Sequence, residues 1–348
     1  MGDSFNRKFS SGGDMDIIKL KKFLKAQTLP AYRYKQINEA VFKQGVIDWQ
    51  EVIILPKSLR QELASQIPVL SFSVEQVISS KDKGSQKALL VLKDGLKIET
   101  VLINSKPGFW SGCVSTQVGC AMGCRFCATG KMGFKRNLTS EEITDQVLFW
   151  KNRAKLTHVV YMGMGEPLAN KENVFESLKI LINPDYFGIG QRNISVSTSG
   201  FVPGIVELAK NFPQINLAIS LHAATDQLRN QLMPMNQQYP LNKLIAELKK
   251  YFQITNRKVF LEYILLAGIN DGVVQARQLV DLINKIGPRH LLHVNLIVYN
   301  QTDCPYQSPT KEVIQRFKKN LEKLGVSVTI RKSLGQEISA ACGQLATA

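Results

Sequence analysis

Three cysteines, Cys120, Cys124 and Cys127, stand four and then three residues apart. Three thiolates so placed on one loop can each bind a different iron of a cubane iron–sulfur cluster. Such clusters normally take four cysteines, so one iron would be left open to a further ligand or to a substrate. A zinc site competes with this reading. Structural zinc takes four ligands, however, and no fourth Cys or His lies nearby in sequence. Chance competes too: with six cysteines in 348 residues, a random match to this spacing is on the order of one in several hundred. Phe126, inside the triplet, would give the loop an aromatic cover, although core packing explains an aromatic there equally well.

S-adenosylmethionine fits the vacancy, because its amino and carboxylate groups can chelate the open iron. An electron from a [4Fe-4S] cluster would then break the sulfonium bond and leave a 5′-deoxyadenosyl radical, chemistry that belongs to the cofactor. Three more thiols stand outside the triplet: Cys113, before it, Cys304, and Cys342, in the terminal run Ala340-Ala341-Cys342-Gly343-Gln344-Leu345. A lone cysteine is usually an inert buried thiol, and Cys304 in Asp303-Cys304-Pro305 reads as that.

The elements that must position these groups follow from periodicity. Residues 1–15, rich in Gly, Ser and Asp, read as a disordered tail. From 16 to about 70 the apolar spacing is helical, broken by Pro30 and Pro56, which predicts a small helical accessory domain. Residues 71–105 read as strands around the turn Lys93-Asp94-Gly95, a short β linker. From 106 to 332 short apolar strands alternate with helices. The strands fall near 112–116, 158–162, 193–198, 216–221, 259–266, 293–299 and 326–331, with helices such as 141–151, 174–182, 241–252 and 274–286 between them. That alternation predicts a parallel sheet with helical crossovers, open or closed as a barrel. In such a fold chemistry sits at the C-terminal ends of the strands. The cysteine loop, Gly163-Met164-Gly165-Glu166-Pro167, Ser197-Thr198-Ser199-Gly200, Ser220-Leu221-His222 and Tyr299-Asn300 all follow strands and would converge on one rim. A tail, 333–348, carries Cys342.

Composition narrows the class. No apolar run reaches the roughly 18–20 residues needed to cross a bilayer, and the N-terminus lacks an apolar signal core. A cytoplasmic protein with reduced thiols is expected. The formal charge is +16, which favours an acidic partner, nucleic acid being the commonest. Residues 81–139 hold ten Lys or Arg against three acids, and the cysteine triplet lies among them. A solvated basic face explains the same cluster without any partner.

Several separate motifs carry a likeness to one family. The run Cys113-Val114-Ser115-Thr116-Gln117-Val118-Gly119-Cys120-Ala121-Met122-Gly123-Cys124-Arg125-Phe126-Cys127-Ala128-Thr129 resembles the RlmN/Cfr radical enzymes, which methylate an aromatic carbon of adenosine in RNA. So do Met164-Gly165-Glu166-Pro167 and Ala341-Cys342-Gly343-Gln344-Leu345, and the likeness runs from roughly residue 17 to 345. It implies a partial (β/α) barrel of the radical S-adenosylmethionine type, two molecules of S-adenosylmethionine per turnover, and a use for both extra thiols. Cys342 would be methylated by displacement, a thiolate being an effective nucleophile. The radical would take hydrogen from that S-methyl group, and the carbon would add to the adenine ring, tethering RNA to Cys342. Cys113 would assist loss of the ring proton and resolve the adduct through a disulfide with Cys342, which a thiol reductant reopens. Glu99 matches a possible proton acceptor, although a strand-edge salt bridge explains it almost as well. By the same matching Gly165 and Glu166 would meet the amino group of S-adenosylmethionine. Ser197, Ser220, Leu221, His222 and Asn300 would line its ribose and adenine, although Ser and Asn there also serve as helix caps.

The resemblance further implies 23S rRNA as partner, an adenosine beside the anticodon in tRNA, an electron donor such as flavodoxin or ferredoxin, and a monomer. Lys131, Lys135 and Arg136 would contact phosphates. RlmN-type members methylate carbon 2, Cfr-type members carbon 8. Glu166-Pro167 and Val196-Ser197-Thr198-Ser199-Gly200 read as the first type. Tyr32-Arg33-Tyr34-Lys35-Gln36-Ile37 and Glu142-Ile143-Thr144-Asp145-Gln146-Val147 are similar to the second as well; carbon 2 is the expectation. A radical enzyme acting on a peptide or small molecule, or an RNA-binding protein with a structural metal, stays open, and Cys342 discriminates against the first of these.

Overall fold

The computed structural model describes residues 17–347, and the tail expected over 1–15 lies outside them. Helices α1 (Ile17–Ala26), α2 (Ala31–Asn38) and α3 (Lys57–Gln66) form the N-terminal part. Pro30 and Pro56 stand immediately before α2 and α3, where a fixed φ and a missing N–H cost nothing. Phe42 packs edge-on against Tyr186 and Phe187, and the Tyr34 and Tyr186 hydroxyls lie 3.0 Å apart. This part is therefore docked on the body of the protein.

Strands β1 (Phe72–Ser79), β2 (Ser85–Leu92), β3 (Lys97–Lys106) and β4 (Phe109–Cys113) form an antiparallel meander. The turn between β2 and β3 falls at the expected residues, with Gly95 at φ +81°. A short hairpin, β5 (Gln117–Gly119) and β6 (Phe134–Asn137), brackets the cysteine loop and helix α4 (Ala128–Lys131). The chain then alternates: α5 (Ser140–Lys151), β7 (Leu156–Tyr161), α6 (Lys171–Ile182), β8 (Ile194–Thr198), α7 (Ile205–Asn211), β9 (Asn216–Ser220), α8 (Asp226–Leu232), α9 (Leu241–Ile254), β10 (Val259–Leu265), α10 (Val273–Ile286), β11 (Leu292–Val298), α11 (Lys311–Lys323) and β12 (Val328–Arg331). The sheet order is β1-β2-β3-β4-β7-β8-β9-β10-β11-β12, and every pairing from β4 onward is parallel.

The sheet is open, since β12 pairs with β11 alone. It nevertheless curls: Arg331 on β12 reaches Met162, just past β7, with its Nη1 4.0 Å from the sulfur. A curled, unclosed parallel sheet of this kind is a partial barrel. The expected strand at 112–116 is shifted, because β4 ends at Cys113. Beyond it Thr116 N–H donates to the Met164 carbonyl at 2.8 Å, and α5 clamps Ser115 through Gln146, which accepts from its N–H and donates to its carbonyl at 2.8 and 3.0 Å. Helix α5 starts at a capping box, Thr139 with Glu142. This places Cys113 at the rim, held from two sides.

Candidate active site

Local sterics fix the cysteine loop. Gly119 sits at φ +73°, and a Cβ there would lie 1.8 Å from the Gly133 carbonyl oxygen. That same carbonyl accepts the Cys120 N–H at 3.0 Å. A Cβ on Gly130 would stand 2.8 Å from the Cys124 carbonyl oxygen, which also accepts the Cys127 N–H. Gly119→Ala therefore carries a left-handed backbone cost of about 1–2 kcal/mol, and the overlap must be relieved by moving Cys120. The expected result is a folded chain that retains far less iron per molecule on reconstitution; wild-type iron content would remove Gly119 from the loop's geometry.

Burial pushes Cys120 up to about 12, aided by the nearby Glu166 and Cys127 charges. Cys124 lies well above the ordinary thiol range, through burial first and then Cys127 and Cys120. Cys127 moves upward for the same leading reason. Three buried sulfurs that oppose one another's ionisation suit a cationic guest, whose binding expels their protons. Among the described residues no three Cys, His, Asp or Glu side chains meet around a single ion position.

A cavity of about 170 Å³ opens beside the loop and continues into open solvent. The three cysteines, Gly165, Glu166, Ser197, Ser220 and His222 all face it, so most of the residues expected on one rim do converge. Gly165 has φ +101°, and a Cβ would meet Gln117 at 2.6 Å. Glu166 is buried; its Oε2 accepts from both the N–H and the hydroxyl of Ser199 at 2.7 Å, and its Oε1 accepts the Leu168 N–H at 3.1 Å. Burial raises its pKa while those bonds pull the other way. The Ser197 and Ser220 hydroxyls are 3.4 Å apart.

His222 takes a left-handed φ of +58°. Its Nδ1 accepts the Ile264 N–H at 3.0 Å, and burial, with Arg229 second, pulls its pKa down to about 3. The ring is therefore neutral near pH 7 and carries its proton on Nε2. Two expected contacts stand elsewhere. Leu221 is buried behind the wall, its N–H donating to the Glu262 carbonyl at 2.9 Å. Asn300 lines a second cavity instead.

That second cavity, about 190 Å³, is walled by Cys113, Asn300, Arg331, Lys332 and Cys342 among others. Cys342, Cys127, Met162 and Arg331 belong to both walls. The C-terminal segment is bolted across the rim. Ala128 N–H donates to the Gly343 carbonyl at 2.8 Å, Thr129 Oγ1 to that of Leu345 at 2.6 Å, and Asn300 Nδ2 to that of Cys342 at 3.0 Å. Cys113 is buried, and its thiol is pushed up to about 12 by burial and then by the Cys342 thiol facing it.

Glu99 faces neither cavity. Its carboxylate pairs with Lys87 at 2.7 Å and accepts the Ala346 N–H at 2.9 Å, which makes it a tether for the tail in this arrangement. Arg136 is likewise occupied, forming two bonds to Glu142 and one to Asp94; a guanidinium so neutralised is a hairpin brace rather than a free phosphate contact. Lys131 donates to the Asp303 carbonyl. Three charged wall or near-wall residues escaped the sequence reading. Glu262 and Arg331, which pair at 3.3 Å, stand alone as charges in apolar strands, a signal that could have found them. Arg229 on α8 gives no such signal.

The open parallel sheet, the three-cysteine loop and the adjoining cavity define a radical S-adenosylmethionine enzyme. Residues 114–283 match the family model "Radical SAM superfamily". A solved radical SAM methyltransferase from Sphaerobacter thermophilus superposes with a TM-score of 0.89 at 42% identity, covering 95% of this chain and 98% of that one. The ribosomal RNA large subunit methyltransferase Cfr of Clostridium botulinum (strain Okra / Type B1) is 45% identical over 94% of this chain and 96% of its own. The protein of that name from Staphylococcus warneri is 38% identical over 98% and 97%. The chain belongs to the RlmN/Cfr family of radical S-adenosylmethionine methyltransferases, whose cofactors are a [4Fe-4S] cluster and S-adenosylmethionine. Among the described residues no helix is long and apolar enough to cross a membrane.

Proposed function

We propose that the protein methylates a ring carbon of an adenosine in 23S rRNA near the peptidyl-transferase centre, and an adenosine beside the anticodon in tRNA, using Cys342 as methyl carrier. One observation carries the reading: Cys342 stands on the wall common to two cavities, the cluster thiols on one side and Cys113 on the other. When bound, the cluster and S-adenosylmethionine supply a 5′-deoxyadenosyl radical, and a second S-adenosylmethionine supplies the methyl group. Cys120, Cys124 and Cys127 hold the cluster; Gly165, Glu166, Ser197, Ser220 and His222 shape the space beside it.

Cys342 takes the methyl group on sulfur, gives up a hydrogen atom from it to the 5′-deoxyadenosyl radical and carries the carbon to the adenine, and the one electron left over on the ring would return to the cluster. Cys113 then attacks the Cys342 sulfur. The sulfur–carbon bond breaks towards the RNA, a Cys113–Cys342 disulfide forms, and a cellular thiol reduces it. Burial, and then the Cys342 charge, push the resting Cys113 thiol up to about 12, which favours its protonated form and disfavours its taking the methyl group itself. Cys113 assists loss of the ring proton, and Glu99 is a second acceptor that could serve only once its ties to Lys87 and the Ala346 N–H are released. The enzyme works as a cytoplasmic monomer fed by a flavodoxin- or ferredoxin-type donor.

Carbon 2 is supported by the likeness of Glu166-Pro167 and Val196-Ser197-Thr198-Ser199-Gly200 to the RlmN type; of these, Glu166, Pro167, Ser197 and Ser199 line the first cavity. Carbon 8 is the second reading, favoured by the name Cfr that the relatives above carry. Nucleoside mass spectrometry decides between them, on rRNA and tRNA from a host lacking its own such enzyme, with and without this chain. The expected result is 2-methyladenosine in both RNAs. Appearance of 8-methyladenosine would transfer the protein to the Cfr type and predict resistance to ribosome-targeting antibiotics. No new methyladenosine with the cluster loaded would overturn the RNA substrate.

A further inference from the structure

Arg229 is fully buried, and all five of its N–H donors are used inside the protein. Nε donates to the Leu221 carbonyl at 3.1 Å. Nη1 donates to Asn236 Oδ1 at 2.5 Å and points at Met235 Sδ at 4.0 Å. Nη2 donates to the carbonyls of Ser199 at 2.5 Å and Ser220 at 3.3 Å. Every acceptor is neutral. Among the described residues the guanidinium has its hydrogen bonds but touches no counter-ion. The acid whose charge reaches it, Asp226, stands one side chain away, its Oδ1 accepting from Asn236 Nδ2 at 2.9 Å. A buried charge left without a partner is strongly destabilising, so a fold that keeps one calls for an anion nearby.

The position of α8 indicates which anion. The Leu232 carbonyl at its end accepts the N–H of Arg125, inside the cysteine loop, at 2.9 Å. Leu232 and Met233 pack with Phe126 in one apolar cluster against which Cys124 and Cys127 lie. Ser199 and Ser220, whose carbonyls Arg229 holds, line the same cavity as Cys120, Cys124 and Cys127. Phe126 and His222 stack edge-on across the same wall at 4.8 Å, which limits water between helix and loop.

We propose that Arg229 is the built-in counter-cation of the iron–sulfur cluster held by Cys120, Cys124 and Cys127, and that it raises the cluster's reduction potential. A cluster bound by three thiolates gains one further negative charge when a donor reduces it. A fixed cation in a water-poor wall stabilises the more negative state more strongly, because screening there is weak. Arg229 acts through the cluster and touches no substrate, so it is a positioning residue. It also ties the ends of β8 and β9 together through the Ser199, Ser220 and Leu221 carbonyls. The inference rests on the cluster and is independent of which RNA carbon is methylated.

The test is the midpoint potential of the reconstituted cluster, read by electron paramagnetic resonance during a reductive titration without S-adenosylmethionine. R229M is expected to shift the midpoint to lower potential, while R229K, which keeps the charge but loses the fork of hydrogen bonds, stays near wild type. A wild-type midpoint in iron-loaded R229M would overturn the proposal, as would R229K falling as far as R229M. D226N serves if R229M does not accumulate. It leaves Arg229 in place, removes the carboxylate that partly offsets it, and is expected to move the midpoint upward. An unchanged midpoint in D226N would count against Arg229 as the controlling charge.

Discussion

Cys342→Ala is expected to lose RNA methylation by at least about 10³-fold, within the range seen when a covalent nucleophile is removed. Cleavage of S-adenosylmethionine to 5′-deoxyadenosine should persist. The reason is positional. Cys342 is solvent-exposed, and its carbonyl, which an alanine retains, takes the Asn300 bond that anchors the segment. An exposed thiol that packs against little contributes within about 0.5 kcal/mol to stability, so the fold and the cluster loop are untouched. Only the methyl carrier disappears. Two readouts on one preparation check this: methylated nucleoside formed, and 5′-deoxyadenosine released. Full RNA methylation by the variant would sink the carrier role of Cys342. Loss of both activities would instead place Cys342 in S-adenosylmethionine binding, where its position on the first cavity's wall also puts it.

Cys113→Ala is expected to accumulate protein covalently joined to RNA. Cys113 ends β4, buried, on the wall of the same cavity as Cys342. Removing one buried sulfur leaves a small void, worth about 1 kcal/mol, which a sheet held by Thr100 and Gln146 on that side tolerates: Thr100 Oγ1 donates to the Cys113 carbonyl at 2.8 Å. Methyl transfer to Cys342 and addition to the base proceed, but no thiol is left to attack the Cys342 sulfur. The adduct should survive denaturing electrophoresis and vanish on nuclease treatment. It should be absent from the double variant Cys113→Ala/Cys342→Ala. Cys113→Ala turning over normally and free of RNA would remove Cys113 from the mechanism.

The two thiols also mark how far the sequence was legible. The strand and helix alternation could be read because periodicity is local: β7 through β11 lie within two residues of the expected spans, and α5, α9 and α10 likewise. Helix α11 escaped because its buried face is only Ile314, Phe317 and Leu321 in a run dominated by Lys and Glu. The short α7 and α8 offer too few turns for a pattern to emerge. The cysteine loop was legible for the same local reason. Three ligands, the glycine that turns the chain into them and the glycine that lets Cys124 approach all fall within one short stretch.

By itself, then, the sequence determined the chemistry of the loop and the kind of sheet that presents it, both set by interactions among near neighbours in the chain. Tertiary structure decided the rest: that Cys342 closes the wall between the two cavities, that Glu99 ties the tail through Ala346, that Arg136 is spent on Asp94 and Glu142, and that Arg229 lies buried behind the Ser199 and Ser220 carbonyls of the cysteine cavity's wall. A charged or thiol side chain carries no local signal of its partner. The partner is chosen when the sheet curls and brings distant segments within hydrogen-bonding reach, and burial then sets what each group costs unpaired.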